Sequence, residues 1–524
     1  MHEHTASLQG TQRVTTGVTA GVTATAGGRP LQLLDLGRIS YAHAWQFQKL
    51  RHDSVLAEEV SDTLLLLEHT PVVTMGRGGL PEHLYVSEAQ LAGQGIELFW
   101  VERGGMATYH GPGQLVVYPI LHLQDRDLHA YMEHLLDVLC ATVEHFGLAC
   151  ERSLHGPGLW INGAKVASIG MAVRKWVSYH GIALNVCLDL TPFSLISPCG
   201  NPAERMTSLE KELGRPITVE EVRPVFVEHF LRVFGYAAEP ERLDHHPSWL
   251  VRRLPSAEQV AGVAHLMDDL SLHTVCQEAH CPNRQECFAR GTSTFLVMGD
   301  ICTRACRYCA VHKGRPKDLD PEEPQRVAEA VARLRLSTAV ITSVTRDDLP
   351  DGGAEHFARI VQAIRSVSPG THIELLVPDF QGRRESILRV CEAAPDMFNH
   401  NIEAVRRIFL QVRPRADYDC SLKVLEMAAG QGLRVKSGLM LGLGETWEEI
   451  VQTLRDLYDH GCRYLTLGQY LAPSTHHVPM VRYLAPDEFA HWKAVALDMG
   501  FLDVASGPLV RSSYRAATML EKAL

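Results

Sequence analysis

The chain has 524 residues, 46% hydrophobic and 21% charged, with 50 Lys and Arg against 61 Asp and Glu and a formal net charge of −11. That length exceeds a single core and asks for two or three domains in a globular protein. The acidity is concentrated in residues 1–249, with 18 basic against 27 acidic side chains, and it excludes a general nucleic-acid binder. No apolar run approaches the roughly 18–20 residues of a bilayer span. The N-terminus has neither a basic region nor an apolar signal core. A cytoplasmic, membrane-free protein is expected.

Residues 1–28 are rich in Thr, Ala, Gly and Val and read as a flexible tail. From about residue 30 a globular pattern begins. Strand-like runs occupy 64–69, 115–120, 166–173 and 182–186. The spacing of Leu128, Tyr131, Met132, Leu135, Leu136, Leu139, Val143 and Phe146 predicts a helix over 127–146, with Gly147 as its C-cap. Thr218 and Glu221 form a capping box opening a second helix that ends near Gly235. Residues 236–246, charged and without periodicity, read as a linker between a domain at 30–235 and another at 247–524. In the latter, strand-like runs at 294–299, 338–344, 372–377, 397–402, 434–441 and 463–470 alternate with helical patterns such as 446–460. Six βα units imply parallel strands with crossover helices, fewer than the eight of a closed barrel.

Six of the thirteen cysteines fall between Cys276 and Cys309. Cys276, Cys281 and Cys287 are spaced C-x4-C-x5-C, and Cys302, Cys306 and Cys309 are spaced C-x3-C-x2-C. Structural zinc wants paired C-x2-C knuckles, which neither triplet supplies. Three thiolates on a four-iron cube instead leave one iron without a cysteine. Cys140, Cys150, Cys187, Cys391, Cys420 and Cys462 lie in apolar or helical segments and read as core. The adjacent His476 and His477 read as surface.

The first domain carries a glycine-rich run, Arg103-Gly104-Gly105-Met106-Ala107-Thr108-Tyr109-His110, followed by Gly111, Pro112, Gly113 and Gln114. Glycine at this density brings backbone close to a ligand, although a glycine-rich hairpin reads similarly. Three further blocks follow: GAKVASIG with Lys165, HGIALN from His180, and SPCG with Cys199. Cys199 between Pro198 and Gly200 suits an exposed nucleophile on a tight turn.

These blocks, in this order over about residues 31–235, resemble the octanoyltransferases of lipoate biosynthesis, relatives of the biotin and lipoate protein ligases. The resemblance implies a mixed sheet flanked by helices, so the chain combines α+β and α/β classes. It makes Cys199 the nucleophile and Lys165 its activating amine. Arg103 to His110, Ser168, Ile169, Gly170, Gly181, Ile182 and Ala183 would surround the acyl chain.

The second triplet is the radical S-adenosylmethionine signature. With EAHCPNRQECF, VITSVTRDDLPDGG, NHNIE, KSGLMLGLGE and RSSYRA, the chain from about Pro247 onward resembles lipoyl synthase. The resemblance implies a partial (βα)6 barrel holding two 4Fe–4S clusters. Cys302, Cys306 and Cys309 would ligate the radical-generating cluster. Cys276, Cys281, Cys287 and Ser513 would ligate an auxiliary sulfur donor. Ser343, Glu374, Asn401 and Lys436, near strand ends, are candidate S-adenosylmethionine contacts. Implied partners are octanoyl-acyl carrier protein, lipoyl domains of 2-oxoacid dehydrogenase E2 subunits, the glycine cleavage H protein, and an electron donor such as ferredoxin or flavodoxin. The alternatives are a sulfur-inserting radical enzyme with an inactive acyl-binding module, a non-catalytic iron–sulfur sensor, or a biotin-synthase-like enzyme.

Overall fold

The computed structural model describes residues 28–152, 156–198, 200–201, 203–239, 247–250, 257–289, 293–514 and 516–523. The chain divides into two compact units, 1–240 and 241–524. The tail expected at 1–27, most of the linker expected at 236–246, and Cys199 lie outside the described residues. Among the described residues no helix is long and apolar enough to cross a membrane.

The first unit is built on an eight-stranded mixed sheet. Arg29–Ile39 runs parallel to Thr63–His69 and, at its other edge, to Tyr236–Ala238. The first residues expected as linker are therefore a strand of this sheet. Thr63–His69, Gln114–Ile120, Val177–Asn185, Ala164–Arg174, Gly158–Ile161 and Glu151–Arg152 continue it antiparallel. A small sheet of Glu97–Trp100, Val72–Met75 and Ala107–His110 stands beside it. The predicted helices form as Leu128–His145 and Val219–Phe234. Asp127 caps the first by accepting from the His129 and Ala130 amides, a cap worth about 1 kcal/mol. The Thr218–Glu221 box closes reciprocally, and Gly235 ends that helix with φ 67°. Leu135, Leu139, Phe226 and Phe230 bury completely against Leu64, Val117 and Leu184 of the sheet. At roughly 1.5–3 kcal/mol per buried side chain, that face carries the unit.

The second unit is an eight-stranded sheet. His273–Thr274 pairs antiparallel at one edge. Seven parallel strands follow: Thr294–Val297, Thr338–Ser343, His372–Leu376, Met397–Asn399, Val435–Leu441, Tyr464–Gln469 and Asp503–Gly507. Six match the expected runs and Asp503–Gly507 is additional. Crossover helices such as Glu323–Arg333, Ala354–Val367 and Trp447–Asp459 separate them.

Candidate active sites

In the first unit a two-residue turn sets the site. Lys175 and Trp176 both take positive φ, 51° and 63°, as the tight hairpin joining Ala164–Arg174 to Val177–Asn185 requires. The resulting register lays Gly181 against Gly170, Ile182 against Ile169 and Ala183 against Ser168, so the two predicted blocks become one wall. A Cβ at Gly181 would meet the Val117 carbonyl at 2.4 Å, so the wall requires glycine there.

This wall, the 103–108 loop and Lys165 enclose a cavity of about 180 Å³. Of the predicted acyl-site residues only Tyr109 is not part of its lining. Its ring packs edge-on against Phe193 at 5.7 Å, inside a separate apolar cluster. Arg103 lines the cavity but is committed to its own loop: Nε donates to Thr74 Oγ1 at 3.1 Å and the terminal nitrogens to Thr74 O, Gly104 O and Met106 O. It is a clamp on the glycine loop.

Lys165 is buried, with Nζ 4.6 Å from the centre of the Trp160 ring. Gly158 makes room for it, since a Cβ there would come within 2.6 Å of Lys165 Cε. The described residues flanking position 199 are fixed by backbone contacts. Pro198 bridges Ala107, and the Ser197 amide donates to His83 O at 2.8 Å. Further on, Lys165 N donates to Arg205 O at 2.7 Å and Thr207 N to Lys165 O at 2.9 Å. Gly200 turns with φ 70°, where a side chain would be strained.

Sequence reasoning named His180 only as the start of a block and missed Tyr41 and Tyr118 in the lining, and His69 behind Tyr118, because these come from separate elements. His69 Nδ1 donates to Ile39 O at 3.1 Å, leaving Nε2 to accept from the Tyr118 hydroxyl at 2.7 Å. Burial pushes His69 down to about 4 and His180 to about 3. Burial likewise pushes His110 well below its usual value. Its Nδ1 donates to Gln114 Oε1 at 2.7 Å, and Gln114 donates on to Asn185. Tyr41 Oη and His180 Nε2 are buried at the cavity without a hydrogen-bond partner among the described residues.

In the second unit a larger cavity, about 520 Å³, opens beyond the C-terminal ends of the parallel strands, where such sheets place their sites. Cys302, Cys306 and Cys309 line it together with Cys276, Cys281 and Ser513. Cys287, on the short helix Arg284–Ala289, is not part of its lining. The amides of Arg304 and Thr345 point at Cys302 Sγ from 3.5 and 3.3 Å, donors of the kind a bound thiolate accepts. Burial pushes Cys276 up to about 11 and Cys309 up to about 12, so a metal must displace protons to bind. Among the described residues no three His, Cys, Asp or Glu side chains close around one ion. A cubane makes a different demand, since each ligand binds a separate iron, and the five thiols lining this cavity supply donors of that kind. Ser343 Oγ and His400 Nε2, buried at the same cavity without partners among the described residues, offer the polar positions that a small polar cofactor fills.

The Arg511–Tyr514 segment is stitched down residue by residue. Arg511 donates through a terminal nitrogen to Val510 O at 2.7 Å. Ser512 Oγ donates to Asn401 Oδ1 at 2.6 Å. Ser513 Oγ accepts from Thr294 at 2.8 Å. The Tyr514 hydroxyl reaches Glu286 at 3.1 Å, one residue from Cys287.

Ser343 and Asn401 line the cavity; Glu374 and Lys436 do not. Lys436 is the second residue of its strand, far from the end that opens on the cavity. Its Nζ pairs with both Glu374 oxygens at 2.9 and 3.0 Å, and Asn399 Nδ2 adds a bond of 2.8 Å. Arg304, between two of the cysteines, forks onto Asp347 and Asp379, four bonds of 2.6–2.9 Å that hold the loop rigid. His477 is half-buried rather than free on the surface, with Nε2 donating to Cys309 O at 3.2 Å. Cys391 and Cys462 are buried as expected, whereas Cys140, Cys150, Cys187 and Cys420 are half-buried.

Residues 40–231 match the lipoyl protein ligase A/B catalytic domain, and 296–457 match the radical SAM superfamily. The chain is 53% identical over 279 residues to lipoyl synthase of Rubrobacter xylanophilus, covering 53% of this chain and 87% of that one. It is 51% identical over 272 residues to lipoyl synthase of Caldicellulosiruptor saccharolyticus, covering 52% and 95%. Among solved structures, a bipartite lipoate protein ligase with its E2 lipoyl domain from Thermoplasma acidophilum aligns over 40% of this chain and 85% of that one, with 18% identity and a TM-score of 0.34. Iron–sulfur and S-adenosylmethionine chemistry follow from the radical SAM match. The chain is an enzyme that belongs to the lipoyl synthase family through its C-terminal half and carries a lipoyl protein ligase A/B catalytic domain ahead of it.

Proposed function

We propose that the chain performs two consecutive steps of lipoate synthesis. The first unit moves octanoate from acyl carrier protein to a lysine of a lipoyl domain; the second replaces hydrogens at C6 and C8 of that chain with sulfur. The observation that supports this reading best is the placement of Ser513, Cys276 and Cys281 around the cavity that also receives Cys302, Cys306 and Cys309. A sulfur source and a radical source must face the same carbon chain, and one cavity lined by both sets meets that demand.

In the transfer step the Cys199 thiolate attacks the carrier thioester. A new carbon–sulfur bond forms as the carrier thiol leaves with a proton. The acceptor amine then attacks, an amide forms and Cys199 departs as thiolate. Lys165 favours that thiolate and moves the proton between the groups. The neutral imidazoles of His69, His110 and His180 keep charge out of the acyl cavity.

In the second unit Cys302, Cys306 and Cys309 would hold one cluster, and Cys276, Cys281, Cys287 and Ser513 the other. Bound there, the clusters and S-adenosylmethionine supply the carbon-centred radical that breaks unactivated C–H bonds, and the sulfur that replaces hydrogen. Ser343 and Asn401 orient the cofactor from the strand ends. Arg304, fixed by Asp347 and Asp379, holds the cysteine loop against displacement. Ser513 would offer a hard alkoxide to a soft iron site, a weak ligand suited to a cluster that gives up sulfide. Lipoyl domains of 2-oxoacid dehydrogenase E2 subunits and the glycine cleavage H protein are the acceptors, with ferredoxin or flavodoxin as reductant.

The test is mass spectrometry of a lipoyl domain incubated first with octanoyl-acyl carrier protein, then with S-adenosylmethionine and reductant. An octanoyl adduct followed by the two-sulfur product supports both steps. An unmodified domain after the first incubation removes the transferase. An octanoyl adduct that persists through the second removes the synthase.

A further inference from the structure

Four side chains link the radical-site loop to the C-terminal segment. Tyr308, between Cys306 and Cys309, donates through its hydroxyl to Glu403 Oε1 at 2.9 Å. Asn401 Nδ2 donates to the same oxygen at 3.2 Å. Asn401 Oδ1 in turn accepts the Ser512 hydroxyl at 2.6 Å. Ser512 immediately precedes Ser513, which is held by Thr294 beside Cys276.

Asn401 is the constrained member of this chain. Its side-chain nitrogen donates one proton to Glu403, and its backbone carbonyl accepts from Arg413 at 3.2 Å. One flank of Oδ1 is closed by Gly438, where even a Cβ would come within 2.7 Å. Ser512 supplies the hydrogen bond that Oδ1 accepts. The side chain nevertheless lines the cavity, so an incoming donor meets an oxygen that already has a partner.

We propose that Ser512 is a positioning residue that pins the C-terminal segment by occupying Asn401, and that S-adenosylmethionine competes with it for that amide oxygen. This rests on the reading of Asn401 as a cofactor contact. Arrival of the cofactor then releases Ser512 and loosens the neighbouring Ser513, so the auxiliary site becomes labile only when the radical site is filled. Ordering of this kind keeps sulfide from being lost before the radical source is present.

The competition has a sign that ordinary damage does not. Equilibrium dialysis of the cluster-loaded full chain with S-adenosylhomocysteine reads it without turnover. Removing the competitor in Ser512→Ala tightens binding about threefold to tenfold, the scale of one hydrogen bond. Ser512→Thr, which keeps the hydroxyl, restores the original affinity, and Asn401→Ala weakens binding. In amide exchange, residues 508–514 become less protected when the ligand is added to the original chain, and are already so in Ser512→Ala. If Asn401→Ala weakens binding while Ser512→Ala leaves it unchanged or weaker, the competition is overturned and the cofactor contact stands. If Asn401→Ala binds as the original chain does, the contact itself is wrong, and the competition falls with it.

Discussion

The Thr294 hydroxyl donates to Ser513 Oγ at 2.8 Å, and the same residue lies beside the Cys276 thiol. One threonine at the start of a parallel strand therefore neighbours two ligands proposed for the auxiliary cluster. Thr294→Val keeps the shape and β-branching but removes the donor. Losing a hydrogen bond of about 1 kcal/mol should loosen that corner several-fold. Sulfide release from the reconstituted protein to a chelator should rise by that factor, while iron bound through Cys302, Cys306 and Cys309 is retained. An unchanged release rate would leave Thr294 as packing only.

Lys165 is buried beside the loop that carries Cys199. If its ammonium favours the thiolate, Lys165→Ala should move the pH profile of Cys199 alkylation upward by about one unit or more. Peptide mapping keeps this thiol distinct from the half-buried ones. Identical profiles would remove Lys165 from activation.

The buried histidines make the first unit acid-sensitive. His69 has an ordinary value of 6.5 and is lowered to about 4 in the fold by burial. Below 6.5 the unfolded chain takes up a proton that the folded site refuses, so stability is present above 6.5 and lost as pH falls towards 4. Each such histidine costs at most about 1.4 kcal/mol per pH unit inside that window. Denaturant unfolding of the full chain at pH 7.5 and 5 should show the transition of the first unit weakening, and His69→Gln should flatten the dependence. A His69→Gln chain with the original pH slope would contradict the assignment.

What could be read in advance depended on whether a signal was local. The cysteine triplets, the Thr218 capping box and the apolar strands were legible because spacing alone carries them. Asp503–Gly507 was not, since a run of five mostly small residues resembles a loop until Tyr464–Gln469 pairs with it. The imidazole and tyrosine side of the acyl cavity is assembled from residues far apart in the chain and leaves no periodic trace. Glu374 and Lys436, read as cofactor contacts, are buried, pair with each other and are not part of the cavity lining, because a polar residue in a strand does not disclose its depth. His477 was read as surface because nothing local records its bond to Cys309.

The division of labour between the two cysteine triplets is open to one paired measurement. The original chain, Cys306→Ala and Cys281→Ala, each reconstituted, are given an octanoylated lipoyl domain, S-adenosylmethionine and reductant. 5′-Deoxyadenosine and sulfur-bearing product are quantified together. Cys306→Ala should yield neither, whereas Cys281→Ala should yield 5′-deoxyadenosine without sulfur transfer. Lipoyl product from Cys281→Ala, or 5′-deoxyadenosine from Cys306→Ala, would contradict the assignment of a radical triplet and a donor triplet around one cavity.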